Sequence, residues 1–379
     1  MLGTTLNHKI IPRDYDVFAG TDVDKRNYAV TFLDHQGRSK SIAMNAKPEQ
    51  LVQTTRNLFP GKKVCFAYEA GPTGFGLYDH LTQEAFTCLV LAPSMIATAP
   101  GLRVKTNRLD SRNIALQLRG GELNGIYVPS LVYRDLRHLV HLRDVLAHER
   151  SAYKCRIKSL LLLENFPSSG TWNSAFIQHL RSLPCRPILR FKLDQLIDHL
   201  HYTHQQVIKA QKEIRRFCTQ EQQLAVSISL IQSIGGLGWI TSSHLLSRIG
   251  DPTFLRRAEQ ISSFIGLTPR ENSTGDSIRR GSITRIGDPR LRSKLIQVAW
   301  VAIRKDPQLA DFYHRIYQRH PKDEAPKKAI VAVANKLCRR IYAVLKNKQP
   351  YQVRSVQQQE AVCARGETRR LREREEATL

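Results

Sequence analysis

Apolar and polar positions alternate along the first third of the chain and then change period. In residues 17–34, "VFAGTDVDKRNYAVTFLD", β-branched and aromatic residues flank the polar run "DKRN". That pattern predicts strand, turn, strand, with "HQGR" supplying the next turn. "KKVCFAYEA" (62–70) reads as a buried strand, followed by the turn "GPTG" and a helical "FGLYDHLTQEA"; "FTCLVLAPS" (86–94) is a further apolar strand ending at Pro93. In "KTNRLDSRNIALQLRGGEL" (105–123), Asp110, Ile114 and Leu118 recur every four residues, which predicts a helix. Asn107 and Asp110 then share one face of its first turn. Two polar groups so placed can hold a metal ion, or simply cap and solvate the helix. Strands alternating with helices up to about residue 128 predict an α/β domain with a mixed sheet.

Beyond 128 the period becomes helical. Long stretches between 130 and 225 carry apolar residues at three- and four-residue steps among charges and histidines, as an amphipathic or coiled-coil arm does. "PSSGTW" (167–172) breaks it as a loop. The histidines form no compact ligand set and read as a solvated face. From 226, "LIQSIGGLGWITSSHLLSRIG" sets a glycine-rich hinge between two helices. A helix–hairpin–helix that offers backbone N–H groups to a phosphate and a plain tight turn fit this stretch equally. "KKAIVAVANKLCRRIYAVLKN" is a terminal helix with an apolar stripe and a basic face. The expected organisation is an α/β domain at 1–128, a helical arm at 129–225, a helical C-terminal domain at 226–350 and a polar, disordered tail at 351–379.

Composition narrows the function. At 379 residues and 41% hydrophobic, the chain can bury two or three cores, and no apolar run approaches the ~18 residues of a membrane span. The N-terminus lacks an apolar secretory segment, so a soluble, intracellular protein is expected. Lys and Arg number 58 against 33 acids, a net charge of +25 and a pI near 10.1, which predicts a polyanionic partner, most often nucleic acid. Seven scattered cysteines without a C-x-x-C pair argue against zinc and a disulfide framework, and for reduced thiols packed as small hydrophobes.

Three acids stand where such a fold could gather them. Asp22 is in the first strand, Glu69 ends a later one and Asp110 opens the helix. Carboxylates at strand ends and a helix start can converge on one sheet edge and ligate Mg²⁺, whose paired ions promote phosphodiester chemistry. Each acid alone reads as an ordinary surface residue; their contexts carry more. "GTDVDKRNYAVTFLD", "YEAGPTGFGLYDHL", "LAPS…VKTNRLDSRNIALQLRGGEL" and "ISSFIGLTPRENSTGDSIRRGSITRIGDPRLRSKLIQVAW" resemble, in order, segments of the insertion-sequence-110 family of transposases, over roughly 17–348.

That resemblance implies an N-terminal RNase H-like (RuvC-like) domain with an Asp-Glu-Asp-Asp metal site, a helical arm, and a C-terminal transposase domain that supplies a serine nucleophile. It implies Mg²⁺ (or Mn²⁺) as cofactor, donor and target DNA and a non-coding bridge RNA as partners, and a homo-oligomer, dimer or tetramer, in a bacterial or archaeal cytoplasm at the nucleoid. Asp22 matches the first metal aspartate, Glu69 the glutamate and Asp110 the last aspartate. Asn107 stands where the family normally has aspartate, so the set is one charge short and impaired cleavage is expected. Asp24, two residues beyond Asp22, would share its face if the strand ran that far. The matching nucleophile is Ser273, with Thr274 one position away; without the resemblance either reads as a turn residue.

Around them, residues 270–305 hold nine Lys or Arg against three acids. Of these, Arg270, Arg279, Arg280, Arg285, Arg290, Arg292 and Lys294 are the expected nucleic-acid contacts. The leading expectation is an RNA-guided DNA transposase or recombinase. The alternatives are a catalytically impaired descendant that still binds RNA and DNA, and a metal-dependent junction-resolving nuclease.

Overall fold

The computed structural model describes residues 9–96, 106–271 and 280–353. It divides into two compact units, 1–128 and 129–379.

The first unit is a mixed five-stranded sheet in the order β3-β2-β1-β4-β5. Strands β1 (Val17–Val23), β2 (Asn27–Asp34) and β3 (Ser39–Asn45) form an antiparallel meander, and β4 (Val64–Glu69) and β5 (Thr87–Leu91) join β1 in parallel. Alternation along the strands divides their side chains between two cores. Val17, Ala19, Phe66 and Tyr68 face helices α1 (Pro48–Leu58) and α2 (Gly76–Gln83), whereas Phe18, Cys65, Ala67 and Leu89 face α3 (Asn107–Arg119). This is the RNase H-like fold that the resemblance implied. The sequence pattern did not single out β3, because its burial is only partial and no apolar alternation marks it.

Gly20 decides how closely α3 approaches. A Cβ there would stand 2.1 Å from the Ser111 carbonyl oxygen and 2.5 Å from the Ala115 amide nitrogen. The short side chains of Ser111 and Ala115 complete the contact, and Thr31 Oγ1 meets Ser111 Oγ at 2.9 Å within it. Gly20→Ala is therefore expected to cost about 3 kcal/mol, the upper end of overpacking penalties, because the collision is with helix backbone. Hydrogen exchange checks this: protection should fall in residues 17–34 and hold in 330–345, and an unchanged pattern would refute the close approach.

The second unit is helical. Two long helices, α4 (Leu131–Leu163, 33 residues) and α6 (Pro187–Gln220, 34 residues), pack against each other and span about 50 Å at 1.5 Å per residue. Between them in the chain come the expected loop at 167–172 and α5 (Ser174–Ser182), a short helix that the sequence pattern did not single out. The distal halves of α4 and α6 close with α5 over Ile157, Leu161, Leu180, Leu193 and Ile197. Their basal ends, Tyr133, Leu136 and Val140 with Ile214 and Cys218, belong instead to the larger core of the helices that follow. Those are α7 (Gln222–Gln232), α8 (Trp239–Ile249), α9 (Glu259–Ile265), α10 (Pro289–Lys305), α11 (Pro307–Tyr317) and α12 (Ala325–Asn347). By packing, the arm is thus continuous with the C-terminal core.

Four cysteines are buried as expected, 65, 88, 218 and 338, and burial raises their thiol pKa values, to about 12 for Cys65 and Cys338. Cys155 departs from that expectation, standing exposed on α4. From residue 354 the expected polar tail lies outside the described residues.

Candidate active site

Asp22 follows Gly20 by two residues and so lies on the α3 face of β1. Glu69 follows Ala67 by two and lies on the same face of the parallel neighbour β4, one residue beyond the Thr21–Tyr68 pairing. Helix α3 runs antiparallel to β1: Ser111 packs at Gly20, while Arg119 reaches the carbonyl of Asp34, which pairs with Val17 at the other end. The first turn of α3, with Asn107 and Asp110, therefore lies at the sheet end where β1 and β4 finish. Asp22, Glu69 and Asp110 are partly buried and Asn107 is exposed. Thr106 caps α3 by accepting from the Leu109 amide at 3.3 Å, so neither polar residue of that face is used as the cap.

The donors gathered there are carboxylate and amide oxygens, which suit a hard divalent cation. Among the described residues, no three His, Cys, Asp or Glu side chains draw together into a finished metal cluster. Asp24 does not extend the set. Strand β1 ends at Val23, and Asp24 stands exposed in the turn to β2, its amide donating to the Asn27 carbonyl at 3.1 Å.

In the second unit, β6 (Pro269–Glu271) and β7 (Arg280–Ile283) pair antiparallel as the stem of a hairpin. Ser273, Thr274 and Arg279 fall outside the described residues, and Arg280 is described only as backbone. Two glycines fix the base of this stem. Gly266 (φ 75°) and Gly287 (φ 119°) let residues 264–267 and 285–287 touch backbone to backbone. A Cβ on Gly266 would meet the Ile286 carbonyl at 2.2 Å, and one on Gly287 the Phe264 carbonyl at 2.1 Å.

The basic residues divide into two groups. Arg270, Arg285 and Arg290 are exposed around the stem and the start of α10. Arg292 instead turns onto backbone, donating from Nη1 to the carbonyl of Ile265 at 2.9 Å. Lys294, with 21% of its side chain exposed, pairs with Asp144 of α4 at 3.2 Å and contacts His244 Nδ1 of α8. Burial lowers the Lys294 pKa, an effect Asp144 partly offsets. Its ammonium is committed inward and does not join the surface group expected from the sequence.

That lysine belongs to a buried network which the sequence reading missed. His244, 0% exposed, lies 3.4 Å from Asp144 and 3.8 Å from Asp288, and Arg248 lies 2.6 Å from Asp288. Asp288 also caps α10, accepting from the amides of Arg290 at 2.8 Å and Leu291 at 3.1 Å. His244, then the Leu291 amide and Arg248 hold the Asp288 carboxyl well below its ordinary range. For Asp144, burial opposes ionisation, but His244 and Lys294 outweigh it and the pKa is lowered. The network joins α4, α8 and α10, fixing the helix that follows the hairpin. The legible signal was "GDPRL", an aspartate before an N1 proline that marks a helix cap.

A depressed carboxylate pKa stabilises the fold above the unfolded value of about 4 and loses that contribution as pH falls through the folded value. Urea unfolding from pH 6 down to pH 3 should therefore show an acid-side loss of stability that Asp288→Asn flattens. Parallel pH slopes for the two proteins would remove the network from this role.

Comparison with known proteins gives the context. Residues 228–314 match the model described as the transposase IS116/IS110/IS902 family, and residues 19–167 match the DEDD transposase model of IS110. A putative transposase, y4qE, of Sinorhizobium fredii is 29% identical over 299 residues, covering 76% of this chain and 72% of its own. The transposase for insertion sequence element IS1111A of Coxiella burnetii is 23% identical over 88% of this chain and 90% of its own. A pilin gene-inverting protein of Moraxella lacunata is 35% identical over 139 residues, covering 36% of this chain and 42% of its own. No helix of the described residues is long and apolar enough to cross a membrane. Both family matches fall on the segments that build the sheet edge and the hairpin stem, and this chain belongs to the IS116/IS110/IS902 family of transposases.

Proposed function

We propose that this transposase is an RNA-guided DNA recombinase that cleaves and rejoins donor and target strands through a serine-linked intermediate, assisted by Mg²⁺ or Mn²⁺. What supports the reading is that Asp22 and Glu69 lie on neighbouring strand ends and Asp110 in the helix turn at the same sheet end, on the face covered by α3, without being drawn into a finished cluster. These three carboxylates would hold the cation, which when bound supplies charge neutralisation at a phosphodiester. Asn107 offers an amide oxygen without charge. Ser273 Oγ would attack the phosphorus, forming a phosphoserine ester as the P–O3′ bond breaks, with its proton passing to the released 3′ oxygen to give the 3′ hydroxyl. Arg270, Arg285 and Arg290, with Arg279 and Arg280, would position the phosphates. The relative named for inverting a pilin gene supports strand rejoining.

A homo-oligomer is part of this reading. Leu162 and Leu163 at the end of α4 are 73% and 78% exposed, and Ile188 and Phe191 at the start of α6 are 81% and 66% exposed. They stand at one arm end, where Arg186 pairs with Glu164 at 2.7 Å, as an apolar tip suited to a second copy.

One assay tests the whole. The protein is incubated with its RNA, Mg²⁺ and labelled DNA, and denatured. A DNA adduct that survives denaturation is expected. Cleavage without adduct would make it a junction-resolving nuclease, and binding alone a catalytically impaired descendant, the reading that Asn107 favours.

A further inference from the structure

The arm carries a cleft that the chemistry above does not use. It has a volume of about 920 Å³ and lies among α4, α5 and α6. That is within the ~300–1,000 Å³ range of small-ligand sites. Its floor is apolar, made by Ile177, Ile197 and Leu200, and one wall is the indole of Trp172. Arg150, Lys154, Arg181, His201 and His204 surround it, and no carboxylate is among the lining residues.

The cations are unevenly neutralised. Arg181 is held by Asp198 at 2.5 Å and by Asp194 at 3.9 Å. Arg150 touches His204 Nδ1 at 3.2 Å through Nη1, while its Nε is buried without a hydrogen-bond partner. Lys154 Nζ rests over the Trp172 ring, 5.4 Å from its centroid. Burial, then the like charges of Arg150 and Lys158, lower the Lys154 pKa. Phe176 meets the Trp172 ring near-perpendicular at 5.3 Å, and the cleft pairs this half-buried indole with positive charge that an anion would complement. A ligand that matches both needs a planar, stackable group joined to a negative one.

We propose that this cleft binds an unpaired nucleotide of a nucleic-acid strand, its base stacked on Trp172 and its phosphate between Arg150 and Lys154. The proposal rests on the reading that nucleic acid is the partner, and adds a single-strand site on the arm, built from residues other than the carboxylates. A paired base could not use it, because its faces are already stacked and only its edges are presented. An acidic peptide would satisfy the cations but leave the indole and the apolar floor without a planar partner.

Binding of the full-length chain to labelled oligouridine, oligothymidine and a duplex of equal length tests this. Base–aromatic stacking is worth ~1–3 kcal/mol, so Trp172→Leu should weaken single-strand binding about 5- to 150-fold while duplex binding changes less than about twofold. Trp172→Phe should restore most of the loss. Strands bearing 4-thiouridine or 4-thiothymidine should photo-crosslink to the peptide that contains Trp172 in the unaltered protein, a readout independent of any effect of substitution on folding. A larger loss on oligouridine would assign the site to RNA, and on oligothymidine to DNA; both support it. Unchanged strand affinity in Trp172→Leu, an equal loss on duplex, crosslinks confined to other peptides, or equal displacement by an oligoglutamate peptide would each overturn it. A protein that binds duplex but not single strands would lose this site and keep its DNA partner. A protein that binds neither would lose both readings.

Discussion

Asn107→Asp is expected to raise Mg²⁺ affinity about tenfold or more and to increase strand cleavage accordingly, with metal-free nucleic-acid affinity little changed. The exchange is nearly isosteric, so packing is preserved. It adds a negative charge at the first residue of α3, beside the sheet end that carries Asp22 and Glu69. Two effects act in the same direction. A charge beside a divalent cation in a partly buried site interacts far more strongly than at an open surface. An acid in the first turn also complements the helix dipole, which favours the new aspartate by a few tenths of a kcal/mol to about 1. Calorimetric titration of Mg²⁺ into both proteins measures the affinity directly, and cleavage against Mg²⁺ concentration measures the consequence. Equal affinity and equal activity at every concentration would show that position 107 does not face the cation.

Ser273→Ala is expected to abolish the denaturation-resistant DNA adduct, on the order of 10⁴-fold or more, as loss of a nucleophile does. Binding of RNA and DNA should persist, because one hydroxyl adds little to an interface dominated by phosphate contacts. Thr274→Ala is the control, since its secondary alcohol is more hindered and should not form the ester. The two variants together read the register: loss in Thr274→Ala with retention in Ser273→Ala would move the nucleophile by one residue. Retention in both would leave the adduct to another group.

Legibility followed the range of the interactions. Strands β1, β2, β4 and β5 were readable because burial leaves apolar runs that punctuation residues bound, as in "KKVCFAYEA" before "GPTG". Strand β3 was not, because a partly exposed edge strand needs no apolar pattern. Asp22, Glu69 and Asp110 could be picked from their contexts, yet nothing local stated that one parallel pairing and one antiparallel helix would bring them to the same sheet end. Asp24 would have shared the face of Asp22 only if β1 ran on to it, and where β1 stops was decided by the fold.

The basic run 270–305 illustrates the same division. Sequence alone determined its charge, and with it the expectation of phosphate contacts. It could not separate Arg270, Arg285 and Arg290, which face solvent, from Lys294, which Asp144 and His244 hold inward. Those partners are 150 and 50 residues away along the chain, and only folding made them neighbours. The arm behaves likewise. Its helices were written in the apolar period of α4 and α6, but the cleft beside Trp172 required α5 to dock against α6. Composition, period and local caps act over a few residues and are carried by the sequence itself. Which charges meet, which face water and which aromatic ring lines a cleft are decided by packing between segments far apart in the chain.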